Sequence, residues 1–202
     1  MILGYKYLTL TCIEEEVSVV RDNISLLLTS ISKFPLNWIV SQIGFNIKEI
    51  YYPAPQAGGA HLMNLIIWEP LSKQGTTIFF VNYQDGWNSF IEMYSQKFDK
   101  LCVQIGISDE GIKYPMQKFS YYKGIKQRNI LSYKDFEKWE FFQKGEALFF
   151  EEEKYYKKRS IKDRLPSDLI IKYLFKTGWD ISENGFWDTN KPVYNFQRTQ
   201  WD

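Results

Sequence analysis

Apolar and polar positions alternate in two rhythms along this chain, and the changes of rhythm mark the elements. Residues 5–13 are rich in Tyr, Leu, Thr and Ile with a rough period of two, which predicts a strand. Glu14, Glu15 and Glu16 end it. Apolar residues then fall at 17, 20, 24, 27, 28 and 31, the spacing of an amphipathic helix, with Pro35 just beyond its end. Residues 38–52 carry neither rhythm cleanly, and extended structure is expected for 46–52. Residues 53–59 read as a loop of Pro, Ala, Gln and Gly. Residues 61–69 and 76–83 predict two strands joined by a turn at 70–75, a hairpin. Asp85-Gly86 closes it, and apolar residues at 87, 90, 91, 94 and 98 predict a helix. Residues 101–107 are apolar enough for a central strand.

The order β-α-β-β-α-β predicts a ferredoxin-like N-terminal sheet, with 34–60 inserted after the first helix. In that arrangement the first and last strands are antiparallel neighbours. Cys12 and Cys102 then come near each other, as two buried thiols. Beyond residue 111 the texture changes. Residues 114–122, 128–133, 139–142 and 147–150 predict further strands, the last two as a hairpin about Lys144-Gly145. The charged segment 151–164 places acids before bases, the order a helix dipole favours. Pro166-Ser167-Asp168 opens another helix over 169–176, stopped by Gly178. The aromatic tail 178–202 is expected to pack back on the body, because exposing it all is costly. The fold class is therefore α+β, a ferredoxin-like sheet with a strand-rich and helical C-terminal portion. Residues 1–202 read as a single domain, divisible at most into sub-lobes 1–110 and 111–202.

Composition narrows the function. Hydrophobic residues make up 45% of the 202, enough for a substantial core. The formal net charge is +1, so no global field attracts a nucleic acid or an anionic membrane. The first hundred residues hold 7 Lys/Arg against 9 Asp/Glu and the rest 18 against 15, an asymmetry too small to argue for a polyanion partner. No run approaches the ~18 apolar residues of a membrane span. The first six residues lack the features of a signal peptide, and two cysteines need no disulfide framework, so a reduced, cytoplasmic protein is expected.

Candidate chemistry is sparse. His61 is the only histidine, so a Ser-His-Asp or Cys-His triad needs it as base; it reads more simply as a strand-entry residue. No spaced Cys/His cluster suggests zinc, and no cofactor is expected. The loop at 55–60 lacks the Lys-Ser/Thr ending of a phosphate-binding loop. Glu137, Glu140, Glu146, Glu151, Glu152 and Glu153 include enough carboxylates for a hydrolase pair, but such a pair has meaning only at a defined separation. They read as a solvated face. Asp85-Gly86-Trp87 reads as a capping turn with Trp87 in the core, or as a recognition turn presenting Trp87. Tyr155-Tyr156-Lys157-Lys158-Arg159 mixes aromatic and basic residues, read as an ion-paired helix or as a charged protein contact.

Asp85-Gly86-Trp87, Trp139-Glu140-Phe141-Phe142 with Gly145-Glu146, Phe150-Glu151, Tyr156 to Arg159, Ile161 to Leu165 and Tyr173-Leu174 together resemble small bacterial proteins of the immunity type, encoded beside polymorphic or contact-dependent toxins. The likeness lies within residues 85–87 and 139–178 and carries no catalytic residue. It implies a cytosolic protein that binds a cognate toxin and occludes it, with no catalysis of its own. The near-neutral charge leaves the toxin's chemistry open. Trp87, Tyr155, Tyr156, Lys158 and Arg159 are the expected partner contacts, because aromatic and basic side chains dominate interface energetics. The alternatives are a carboxylate-dependent hydrolase and a small-ligand or nucleic-acid-binding module.

Overall fold

The computed structural model describes residues 7–45, 62–109 and 111–201. Nine strands form one antiparallel sheet: β1 (Tyr7–Ile13), β2 (Trp38–Ile43), β3 (Asn64–Trp68), β4 (Thr77–Val81), β5 (Leu101–Ser108), β6 (Met116–Lys123), β7 (Lys126–Asp135), β8 (Lys138–Lys144) and β9 (Val193–Arg198). Their order across the sheet is β2-β9-β3-β4-β1-β5-β6-β7-β8. Among the described residues three α-helices accompany them: α1 (Val17–Ile31), α2 (Asn88–Phe98) and α3 (Ser167–Lys176).

This corrects the expectation of a ferredoxin-like (β-α-β-β-α-β) sheet with a strand-rich and helical C-terminal portion packed on it. The expected strands are only the middle of a continuous sheet, which β6, β7 and β8 extend on one side and β9 and β2 on the other. The antiparallel pairing of β1 with β5 is present, with Ile13 opposite Cys102. Cys12 and Cys102 are both buried and free. They belong to different core clusters, because Cys12 is opposite Val103 and successive side chains point to opposite faces.

Both faces of the central strands are covered, so β1 and β4 are buried at every position. That is why β4 reads as a nearly continuous apolar run, while β1 keeps a rough alternation with Thr9 and Thr11 buried on one face. On the first face, α1 buries Val17, Val20, Ile24, Leu27 and Leu28, and α2 buries Phe90, Ile91 and Tyr94, against Leu65, Ile67, Phe79, Val81 and Phe196. On the second face, Leu8, Leu10, Ile66, Phe80, Val103, Ile105 and Phe119 meet Leu169, Ile170, Tyr173 and Leu174 of α3, together with Trp179 and Phe186.

Two further corrections fall in the C-terminal part. Residues 147–150 are not a strand; β8 pairs with β7 instead. The chain leaves β8 at Gly145, φ +87°, where a Cβ would sit 2.0 Å from the Gln127 carbonyl oxygen, so only glycine permits the exit. The charged stretch after it is not one helix but two 3-10 turns, Tyr155–Lys157 and Ile161–Arg164. The ion-paired helix read across Tyr155 to Arg159 is therefore replaced by a single 3-10 turn. The tail does pack back, and part of it enters the sheet as β9, between β2 and β3. His61, the 53–59 loop and the expected extended stretch at 46–52 lie outside the described residues.

Candidate binding face

Helix α2 covers the first face over β5 and β6 and reaches Phe79 of β4 through Phe90. Beyond it, over β7 and β8, no helix among the described residues covers this face. Register places Lys118, Leu131 and Phe142 in one cross-strand row, and Met116, Tyr133 and Glu140 in the next. Gln84, Tyr114, Pro115, Met116, Leu131, Tyr133, Lys134 and Phe142 line a cavity of about 370 Å³ there. Its lining is mostly apolar and aromatic, and Phe142 is 49% exposed. Gln84 braces the rim. Its side-chain amide donates to the Tyr114 carbonyl at 2.9 Å, and its own carbonyl accepts from the hydroxyls of Tyr7 and Thr9.

Beside the cavity, under the start of α2, lies a buried polar cluster. Lys118 is 3% exposed, and its Nζ donates to the Asp85 carbonyl at 3.0 Å, to Asn88 Oδ1 at 2.7 Å and to Gln104 Oε1. Three oxygens match the three N–H groups of an ammonium. Burial nevertheless pulls the amine down to about 7, with the charge of Asp85 opposing. Gln104 Nε2 donates in turn to Thr11 Oγ1 at 2.9 Å and to the Gly86 carbonyl at 2.8 Å. The Tyr122 hydroxyl lies 2.7 Å from Oδ1 of both Asn88 and Asn129, and burial pushes it up to about 12. Lys118 and Gln104 thus tie the Asp85-Gly86-Trp87 turn to the sheet. With all three of its protons engaged, Lys118 serves as a strut beneath the open face.

That turn is shaped for this contact. Gly86 has φ +69°, and a Cβ there would lie 2.3 Å from Thr9 Cγ2 and 2.7 Å from Gln104 Nε2. Asp85 Oδ1 accepts the Trp87 backbone N–H at 3.0 Å; Trp87 holds the N-cap position, so Asp85 shapes the turn two residues before the cap and does not cap the helix itself. Trp87 itself begins α2 in a left-handed conformation. Its ring stacks on Phe90 at 4.1 Å, half-buried.

The other expected contacts lie across the sheet. A buried pair, Arg128 and Glu151, anchors them, with Nη2 and Oε2 2.7 Å apart and side chains 4% and 1% exposed. Arg128 also donates to the Gly145 carbonyl and to Gln143 Oε1, both at 2.9 Å. Burial disfavours the Arg128 charge, but the hydrogen bonds and charge of Glu151 outweigh it, and its pKa is raised. The Tyr156 hydroxyl donates to Glu151 Oε2 at 2.9 Å and lies 3.0 Å from that of Tyr173. Burial first, then Tyr173, hold the Tyr156 phenol far above its ordinary range. Tyr156 is thus a core residue, 7% exposed. Its neighbours stay outside: Lys158 Nζ lies 4.1 Å over the Tyr155 ring, and Lys158 and Arg159 are exposed. The fold brings Tyr155, Lys158 and Arg159 together and leaves Trp87 on the opposite face. Nothing in the local sequence marked Leu131, Tyr133 and Phe142 as one surface; only their register does.

Among the described residues, no group of three or more His, Cys, Asp or Glu side chains is placed to hold a metal ion, and no helix is long and apolar enough to cross a membrane. The sheet and its helices define an α+β protein. No protein-family model, curated protein or solved structure matches the chain.

Proposed function

We propose that this chain is an immunity-type binding protein, which holds a cognate toxin on the open half-face of β6–β8 and neutralises it by occlusion in the cytoplasm. The apolar cavity carries the reading: Tyr114, Met116, Leu131, Tyr133 and Phe142 form a socket for one apolar side chain of a partner. Burying such an anchor contributes roughly 1.5–3 kcal/mol, and anchors of this kind dominate protein interfaces. The Lys118 strut and the Gln84 brace hold the socket's walls before binding, which lowers the ordering cost. The resemblance of residues 85–87 and 139–178 to immunity-type proteins supports the choice of partner.

The test is co-elution on size exclusion with the folded, catalytically inactive toxin encoded by the adjacent gene. Wild type is expected to co-elute one-to-one. Leu131→Arg, which puts a charge in the socket, should weaken binding roughly 30-fold or more, the effect of losing about 2 kcal/mol. Leu26→Arg, on the exposed side of α1, should leave it intact. Equal binding by all three would remove the socket from the account, and no binding by wild type would remove the toxin.

A further inference from the structure

Strand β8 ends the sheet, and among the described residues no strand lies beyond it. Its outer row of backbone N–H and C=O groups therefore has no ladder partner, and every residue of the strand is exposed or half-exposed. The 3-10 turn Ile161–Arg164 does not cap this edge. It lies over the second face, where Ser132 Oγ donates to the Ile161 carbonyl at 3.0 Å and the Arg164 guanidinium sits 5.5 Å from the Phe141 ring centroid. Arg164 Nε donates to the Lys158 carbonyl at 2.8 Å, so Lys158 lies next to this lip. Residues 138–144 and 157–164 together hold seven Lys/Arg against two Asp/Glu, in a chain whose net charge is only +1.

Lysines at the two ends of an edge strand ordinarily guard against pairing with another copy, and Lys138 and Lys144 do that here. The basic lip adds a second property. A strand laid along β8 would alternate its side chains between the two faces. One set would meet Phe142 and the open socket, the other the exposed cations at Lys158 and Arg159 beside the half-buried Arg164. The geometry points to β8 as a strand-addition site for an extended segment that alternates acidic with apolar residues. A second copy of this chain is repelled by the same charges. The inference rests on the protein-binding reading above only for who supplies that segment.

The probe is acetyl-(Glu-Val)4-amide, with acetyl-(Lys-Val)4-amide as its charge-reversed control, titrated to millimolar concentration into the full-length 15N-labelled protein. The acidic peptide should shift and protect amides of residues 138–144, and weaken with added salt. The basic peptide should do neither. The double variant Lys158→Glu, Arg159→Glu, both exposed positions, should weaken the acidic peptide at least ~10-fold. Undisturbed β8 amides, or equal binding of both peptides, would overturn the inference. The same amides are followed in the toxin complex. A complex that depends on Leu131 yet leaves the β8 edge unprotected removes strand addition and keeps the socket. Peptide addition at β8 without any toxin complex keeps the edge site and removes the toxin.

Discussion

Lys118 is a fully buried amine whose setting departs far from its behaviour in water, and its consequence is a pH dependence. The unfolded chain keeps this amine protonated up to about pH 10.4. The native state, with the amine at about 7, gives up its proton earlier. Between these values the unfolded state binds more protons, so native stability rises with pH; below pH 7 the burial cost is present in full. Urea melts should show a rise on the order of 1 kcal/mol from pH 7 to 8, before the thiols matter, and Lys118→Met should abolish it. A wild-type curve without the rise would contradict the assignment. Above pH 9 the trend reverses, because burial pushes the thiols of Cys12 and Cys102 above their ordinary range and the unfolded chain ionises first. Arg128 and Glu151 make a second residue-level prediction. Glu151→Gln leaves a buried cation without its counter-charge and should cost about 3–5 kcal/mol in the same melts, whereas Arg128→Met with Glu151→Leu should recover much of the loss. A single-variant loss under 1 kcal/mol would mean water reaches the pair. Neither residue announced its role in the sequence. Lys118 sits in a strand of mixed polar and apolar residues, between Gln117 and Phe119, and Glu151 was indistinguishable from the carboxylates beside it until the fold placed Arg128 opposite.

Elements with strong local rhythm were legible, and those decided by distant partners were not. Helix α1 follows its spacing closely: five of the six predicted core positions are buried and only Ile31 stays out, because the helix ends there. Strands β6 and β7 lie within a few residues of their expected positions, since the Lys123-Gly124 turn is written into the chain. Residues 147–150 failed because a short apolar run describes a strand and a partly exposed turn equally well; Gly145 with the Glu151 anchor decides for the turn, in which Leu148 and Phe150 are half-buried and Phe149 is exposed. Strand β9 was missed because its place, between β2 and β3, depends on pairing across more than a hundred residues. The Asp85-Gly86-Trp87 turn was legible as a turn, but the reason for its glycine was not. Gly86→Ala should destabilise by roughly 1–3 kcal/mol, through a positive φ and a clash with Thr9 and Gln104. It should also loosen the start of α2 in hydrogen exchange. A neutral Gly86→Ala would mean the turn relaxes without the sheet.

At the scale of the whole molecule, one sheet separates two sets of candidate contacts. Trp87 and the socket lie on one face; Tyr155, Lys158 and Arg159 lie on the other, and β8 is the strand where the two surfaces meet. Composition was sufficient to expect a substantial core and a near-neutral molecule. It was silent on this arrangement, because the +1 net charge averages over a basic edge and an apolar half-face. The central claim is neutralisation by occupancy. Its most direct measurement titrates this protein into a fixed amount of active toxin and follows the remaining toxin activity. Binding by occlusion predicts a linear fall to zero at one equivalent, unchanged by longer incubation. Complete loss of toxin activity at a small fraction of an equivalent, progressing with time, would show turnover and contradict the account.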